Sequence, residues 1–218
     1  MTLPRVQPIA PTWHKEPFDD PDWLFEFKYD GFRAICYLEQ RRNRLISRNN
    51  NIMTRFEALA GQVAAALNID DTILDGEIIA ADETGRPVFI DLLRYTRSPC
   101  YIAFDLLWLN GIDLRSLPLS ERRRALQTIL PKTSPIVSEA LSIEGRGRGL
   151  FDLMCTNDLE GVVAKRLADP YDPRVRWLRI KNPDYSKEGR ADLFNAPRQR
   201  PWKRDRSTSD VPVVSGAA

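Results

Sequence analysis

The stretch that decides the fold is Trp23-Leu24-Phe25-Glu26-Phe27-Lys28-Tyr29-Asp30-Gly31-Phe32-Arg33-Ala34. Over residues 23–28 the side chains alternate with period 2. Trp23, Phe25 and Phe27 take one face of a strand, and Glu26 and Lys28 the other. One strand thus delivers a carboxylate and an amine to the same side. Tyr29-Asp30-Gly31 carries a D-G turn signal and residues 32–38 resume as a second strand, so the two are expected to pair as a hairpin.

Upstream, Pro4, Pro8, Pro11, Pro17 and Pro21 are too closely spaced for a helix or a central strand, which predicts an extended segment over residues 1–22. Downstream, residues 45–47 begin a third strand, followed by the loop Arg48-Asn49-Asn50-Asn51. Met53, Phe56, Leu59, Ala60, Val63 and Leu67 recur at helical spacing, with Thr54 or Asn51 as the expected cap. Residues 73–80 read as a strand with Asp75 and Glu77 on one face, and residues 101–109 as a strongly apolar strand ending at Asn110-Gly111. Ser120 is expected to cap a helix that Pro131 stops, and a third helix is expected over residues 149–155. Residues 161–167 and 177–181 are the last strands. The second of these places Trp177, Arg179 and Lys181 on one face and Leu178 and Ile180 on the other. Strands cluster instead of interleaving with helices, so the class is α+β. The run Glu144-Gly145-Arg146-Gly147-Arg148-Gly149 lacks the Lys-Ser/Thr of a phosphate loop, and reads as a flexible lead-in to the third helix or a phosphate contact.

Composition narrows the chemistry. The 218 residues suffice for a substantial core, and 43% hydrophobic with 28% charged residues is ordinary for a globular chain. His14 is the single histidine, which excludes any site with two His ligands and sets aside a Ser-His-Asp triad. Cys36, Cys100 and Cys155 are odd in number and far apart, as expected of packing thiols in a reducing compartment, so a cytoplasmic location is expected. No apolar run approaches ~20 residues, so no membrane association is expected. The net charge is only +2, but seven basic and three acidic residues fall between Lys187 and Arg206, a local +4. Residues 196–218 are expected to form a basic, flexible tail.

Several β-like segments place a charge opposite an apolar face: Lys28, Glu77, Lys165, and Arg179 with Lys181, while Glu160 immediately precedes one of them. Cations combined with two carboxylates suit a polyphosphate with Mg²⁺, because the carboxylates hold the metal and the cations meet the phosphate oxygens. Singly, Lys28 fits equally an exposed charge before a turn, and Glu77 or Glu160 a solvated strand-end carboxylate.

Their order and wording add to this. Lys28-Tyr29-Asp30-Gly31 with Arg33, Ser47-Arg48-Asn49, Asp75-Gly76-Glu77, Tyr101-Ile102-Ala103-Phe104-Asp105, Glu160-Gly161-Val162-Val163-Ala164-Lys165 and Trp177-Leu178-Arg179-Ile180-Lys181 follow one another along the chain. In that order they resemble the motifs of the covalent nucleotidyltransferases, and most of all the ATP-dependent DNA ligases of the bacterial DNA ligase D type. The resemblance covers roughly residues 5 to 195.

It implies an α+β, ATP-grasp-like nucleotidyltransferase fold over residues 23–195, with antiparallel sheets, flanking helices and a nucleotide pocket between them. It implies that Lys28 attacks the α-phosphate of ATP to give lysyl-AMP. Lys165, Arg179 and Lys181 match residues that contact nucleotide phosphates, Glu77 one near ribose and metal, and Glu160 one that binds metal (Mg²⁺ or Mn²⁺). Phe104 matches the aromatic that stacks on adenine. Glu26 is expected at the adenine or ribose edge, Arg33 at ribose or DNA phosphate, and Arg48 at phosphate. Asp75 and Asp105 are read as structural residues that fix backbone turns, or as ligand contacts. The expected partners are nicked or broken DNA and a separate OB-domain or repair protein, and the expected state is a monomer. An RNA ligase, another covalent nucleotidyltransferase, and a non-catalytic DNA-end-binding module remain alternatives.

Two departures stand out. Arg179 replaces the lysine of many relatives, so a planar fork replaces a point charge. Only 37 residues follow Lys181, too few for an OB domain of ~100 residues, so no OB domain is expected.

Overall fold

The computed structural model describes residues 3–40 and 42–186. The elements are β1 (Thr12–Trp13), β2 (Trp23–Phe27), β3 (Phe32–Leu38), β4 (Arg44–Ser47), α1 (Glu57–Leu67), β5 (Thr72–Ile79), α2 (Phe89–Arg94), β6 (Cys100–Leu109), β7 (Ile112–Asp113), α3 (Leu119–Ile129), β8 (Val137–Glu139), β9 (Ser142–Glu144), α4 (Gly147–Thr156), β10 (Gly161–Arg166) and β11 (Leu178–Lys181). They build an α+β fold of two sheets. The first runs β1-β11-β10-β2-β9 and the second β4-β3-β5-β6-β7, with β8 also paired to β6. Pairing is antiparallel, as expected, except for β1 with β11 and β6 with β8, which are parallel. The basic tail expected over 196–218, and the last residues of the 23–195 domain, lie outside the described residues.

Each sheet buries both faces. In the first, Trp23, Phe25 and Ala164 pack on Phe18 and Leu150, and Val162 and Ile180 on Met154, so α4 covers this side. In the second, Ala34, Cys36, Leu74, Tyr101 and Ala103 meet Leu59, Ala60 and Val63 of α1. Between the sheets, Ile35, Ile73, Ile102, Phe104, Tyr171 and Trp177 form another core, which Leu3, Val6 and Ile9 complete. The proline-rich segment is extended, as expected, and it is also core: these three side chains are nearly fully buried, and their burial favours ordering a strap that makes few backbone bonds.

The expected hairpin does not form. β2 pairs with β10 and β9, whereas β3 pairs with β4 and β5 in the other sheet. Residues 28–31 therefore cross from one sheet to the other. Neither Asp30 nor Gly31 has the positive φ that a tight hairpin turn demands. Gly31 is needed for a different reason: a Cβ there would lie 2.2 Å from the carbonyl oxygen of Ile78, so the glycine lets the crossing lie against β5.

The expected caps also differ. Pro118, not Ser120, takes the N-cap position of α3, with no side-chain cap bond. The first-turn amides of Leu119 and Ser120 instead donate to the carbonyls of Asp169 and Leu167, so a neighbouring loop satisfies donors that a side chain usually serves. α1 is entered through a 3₁₀ turn (Thr54–Phe56), and neither Asn51 nor Thr54 caps it. Leu130 is extended before Pro131, as the expected stop requires. In the glycine-rich run at 144–149, α4 already begins at Gly147, which packing requires: a Cβ there would come within 2.3 Å of the Phe25 ring.

Candidate active site

Three strand ends converge at one point. β10 pairs with β11 so that Gly161 faces Lys181, and with β2 so that Val162 faces Phe27. The Lys28 amide then donates to the Gly161 carbonyl at 2.9 Å, which holds Lys28, Glu160 and Lys181 at adjacent ends of three strands. Gly161 has φ +131°, and a Cβ would stand 2.1 Å from the Ile180 carbonyl oxygen. No other residue fits there without moving a strand.

The side chains meet as the backbone directs. Lys28 Nζ lies 2.6 Å from Glu160 Oε2, and Lys181 Nζ 3.7 Å from Glu160 Oε1. Glu77 comes from β5 in the other sheet, where it pairs in register with Arg33. Burial pushes the Glu77 carboxyl up to about 8; Lys28 and Arg33 oppose this, and Glu160 and Asp75 add to it. Glu77 thus feels both Lys28 and Glu160, and two carboxylates that raise each other's pKa favour an added cation. Among the described residues no group of three or more His, Cys, Asp or Glu side chains could enclose a metal ion alone. Two carboxylates fit Mg²⁺, which takes one or two such ligands and fills its octahedron with phosphate oxygens and water.

Glu26, Lys165, Phe104 and Trp177 form a second, buried group. Lys165 stands in register with Leu24, four residues from Gly161, or about 13 Å along the strand. The structure does not bring it to the Lys28 cluster as expected. Its ammonium is buried 2.6 Å from Glu26 Oε2, an ion pair without a well-aligned hydrogen bond. It also lies 4.1 Å from the ring centroid of Phe104 and 4.0 Å from that of Trp177. Burial lowers the Lys165 pKa, against the pull of Glu26 and Asp105. Phe104 is buried beside Trp177 in an edge-to-face contact, with Lys165 and the Arg33 guanidinium (5.5 Å) over its ring.

Arg33 does not reach outward for a phosphate. Its guanidinium forms a fork with Asp75 (3.1 and 2.6 Å) and donates to the Ile9 carbonyl of the strap. Burial acts to lower its pKa, but Asp75 outweighs burial and raises it. Tyr171 donates to the same Asp75 at 2.7 Å. Asp105 is likewise an arginine partner: Arg122 meets it through two bonds of 2.7 and 2.9 Å, both side chains buried. Asp75 and Asp105 are structural, and they fix arginines where backbone turns were expected. Arg179 is exposed on β11, in register with Val163 and Trp13. Arg48 is exposed in the turn after β4 and is paired with neither cluster.

The sequence reading missed Arg123. It is buried on α3 and donates to Glu26 Oε1 at 2.8 Å and to Glu139. Nothing in Ser120-Glu121-Arg122-Arg123-Arg124 marks which arginines turn inward.

Residues 11–181 match the family model described as the ATP dependent DNA ligase domain. The SPbeta prophage-derived DNA ligase-like protein LigB of Bacillus subtilis is 33% identical over 192 residues, covering 83% of this chain and 69% of that protein. The multifunctional non-homologous end joining protein LigD of Pseudomonas aeruginosa is 33% identical over 169 residues, 73% of this chain but 20% of the relative. Among solved structures, mycobacterial DNA ligase D complexed with ATP and MES superimposes with a TM-score of 0.71 at 28% identity, covering 81% of this chain and 60% of the other. The chain belongs to the ATP-dependent DNA ligase family, and what matches is the adenylation domain.

Proposed function

We propose that this chain is the adenylating module of a DNA-joining enzyme that works through a lysyl-AMP. The observation that carries this reading is the convergence of Lys28, Glu160 and Lys181 at three adjacent strand ends, opposite Glu77. Lys28 Nζ attacks the α-phosphorus of ATP; the N–P bond forms, the bond to the bridging oxygen of the β-phosphate breaks, and pyrophosphate leaves. Attack requires the neutral amine, so Lys28 must leave its ion pair with Glu160 and give up a proton. Glu77 and Glu160 would hold a Mg²⁺ or Mn²⁺ ion; when bound, the cation supplies positive charge beside the phosphates and favours the free amine. Lys181 and Arg179 meet phosphate oxygens, while Glu26, Phe104 and Lys165 form the base end. Arg48 lies on the surface facing the nucleic acid.

The AMP then passes to a 5′-phosphate of nicked DNA, and attack by the 3′-OH releases AMP. DNA is preferred to RNA on the strength of the family match. Arg33 reaches phosphate only if it exchanges Asp75 for that partner. The chain spans 20% of LigD and 60% of the ligase D structure; sealing is assigned to this chain acting on nicked DNA, with a separate OB-domain or repair protein as the proposed partner. Three unbridged cysteines fit a cytoplasmic enzyme. Among the described residues no helix is long and apolar enough to cross a membrane.

Nicked duplexes carrying a preformed 5′-AMP test the reading, with and without an added OB-domain protein. Joining of DNA in preference to RNA supports it. Failure on both nucleic acids under both conditions overturns the assignment to end joining.

A further inference from the structure

We propose that Arg123 is a positioning residue that sets base selectivity by holding the buried Glu26 carboxylate in place for the base. The proposal rests on the reading of the site as one that uses ATP, and it concerns the base end of that site.

Glu26 lies two residues before Lys28 on the same face of the chain, about 6–7 Å away along the strand. An α-phosphate at Lys28 therefore directs the rest of the nucleotide toward Glu26. A carboxylate only accepts hydrogen bonds, so it suits the exocyclic amine of adenine and opposes the carbonyl oxygen that guanine carries there. Recognition of this kind requires that the carboxylate be held, and two buried cations hold it: Arg123 on Oε1 at 2.8 Å and Lys165 against Oε2 at 2.6 Å. Each oxygen retains a lone pair for a ligand.

The two holders differ. The Lys165 ammonium lies against the Phe104 and Trp177 rings, in the space that a base stacked on Phe104 needs, so it must shift as the nucleotide enters. Arg123 is anchored by a different set of partners, on the segment that carries Glu139 and Ser142. Its other amino group donates to Glu139, to Ser142 Oγ at 3.1 Å and to the Ala140 carbonyl at 3.4 Å. Gln127 holds Glu139 in turn. The preceding residue, Arg122, turns about 100° around the helix and locks into Asp105. Consecutive arginines thus tie α3 to both sheets, and Arg123 remains a fixed anchor for Glu26 when Lys165 moves.

The test is the rate of lysyl-AMP formation against nucleotide concentration for ATP and for purine riboside triphosphate, which lacks the 6-amino group. Wild type should prefer ATP. Arg123→Gln should raise the half-saturating ATP concentration ~10-fold, the scale of one charge-assisted hydrogen bond, with little change in the limiting rate, and should abolish the preference. Arg123→Lys should restore part of it. The double variant Arg123→Gln/Glu26→Gln should lose no more selectivity than Glu26→Gln alone. An unchanged preference in Arg123→Gln overturns the proposal, as does an unchanged preference in Arg123→Lys should the glutamine variant not fold. Absence of any adenylate in wild type overturns the ATP-using reading itself, and with it this proposal.

Discussion

Lys28 Nζ and Glu160 Oε2 are 2.6 Å apart, with side-chain exposures of 20% and 11%. The residue proposed as nucleophile is therefore held by the carboxylate proposed for the metal, and Glu160 also gathers Lys181. In the proposed mechanism, nucleotide and metal separate this pair before the amine reacts.

Glu160→Gln keeps the shape and removes the charge. Its melting temperature should stay close to wild type, because partly exposed pairs contribute little to stability. Lysyl-AMP formation should fall ~100-fold or more, since the cation that would neutralise the phosphate charge loses one of its two proposed ligands. Thermal melts and labelling time courses on the same preparations check both halves.

The raised carboxyl of Glu77, about 8, sets a pH dependence. Its folded value lies above its unfolded value near 4.5, so the native state binds the extra proton. The associated stability is fully present below about 4.5 and is lost as pH rises through about 8. In chelator, wild type should therefore lose melting temperature between pH 5 and pH 8.5. Glu77→Gln should flatten that slope, and added Mg²⁺ should restore stability at high pH only in wild type.

The Arg122–Asp105 fork is fully buried. Truncation to Arg122→Ala leaves a carboxylate without a partner and should cost ~3–5 kcal/mol in urea unfolding. Replacing both residues with apolar ones of similar volume should cost markedly less.

Gly161→Ala forces a Cβ against the Ile180 carbonyl at an unfavourable φ. A loss of roughly 2–4 kcal/mol is expected from the strain and displacement, together with loss of adenylation, since Lys28 hangs from the Gly161 carbonyl.

Much of this molecule was legible in its sequence, for identifiable reasons. Period-2 alternation and short apolar runs located β2, β3, β5, β6, β10 and β11 to within a residue or two. Lys28, Glu77, Lys181 and Glu160 stood out as charges opposite apolar strand faces or, for Glu160, just before such a strand, and through the order of the motifs that carry them. Asp30-Gly31 misled because a glycine demanded by close backbone approach looks the same in sequence as one demanded by positive φ. Ser120 misled because a distant loop supplied the acceptors for α3. Arg122 and Arg123 were illegible: their burial depends on Asp105 and Glu26, and no local pattern encodes partners so far away in the chain. That Lys165 lies by Glu26, Phe104 and Trp177 was not legible, because strand position along β10, and not face alone, decides its neighbours.

The most direct test is incubation with α-labelled ATP and Mg²⁺, followed by peptide mapping of the labelled protein. A single adenylate on Lys28, absent from Lys28→Ala and lost from wild type on adding pyrophosphate, is the result expected here. An unlabelled wild type, or label that persists in Lys28→Ala, would contradict the assignment of Lys28 as the nucleophile.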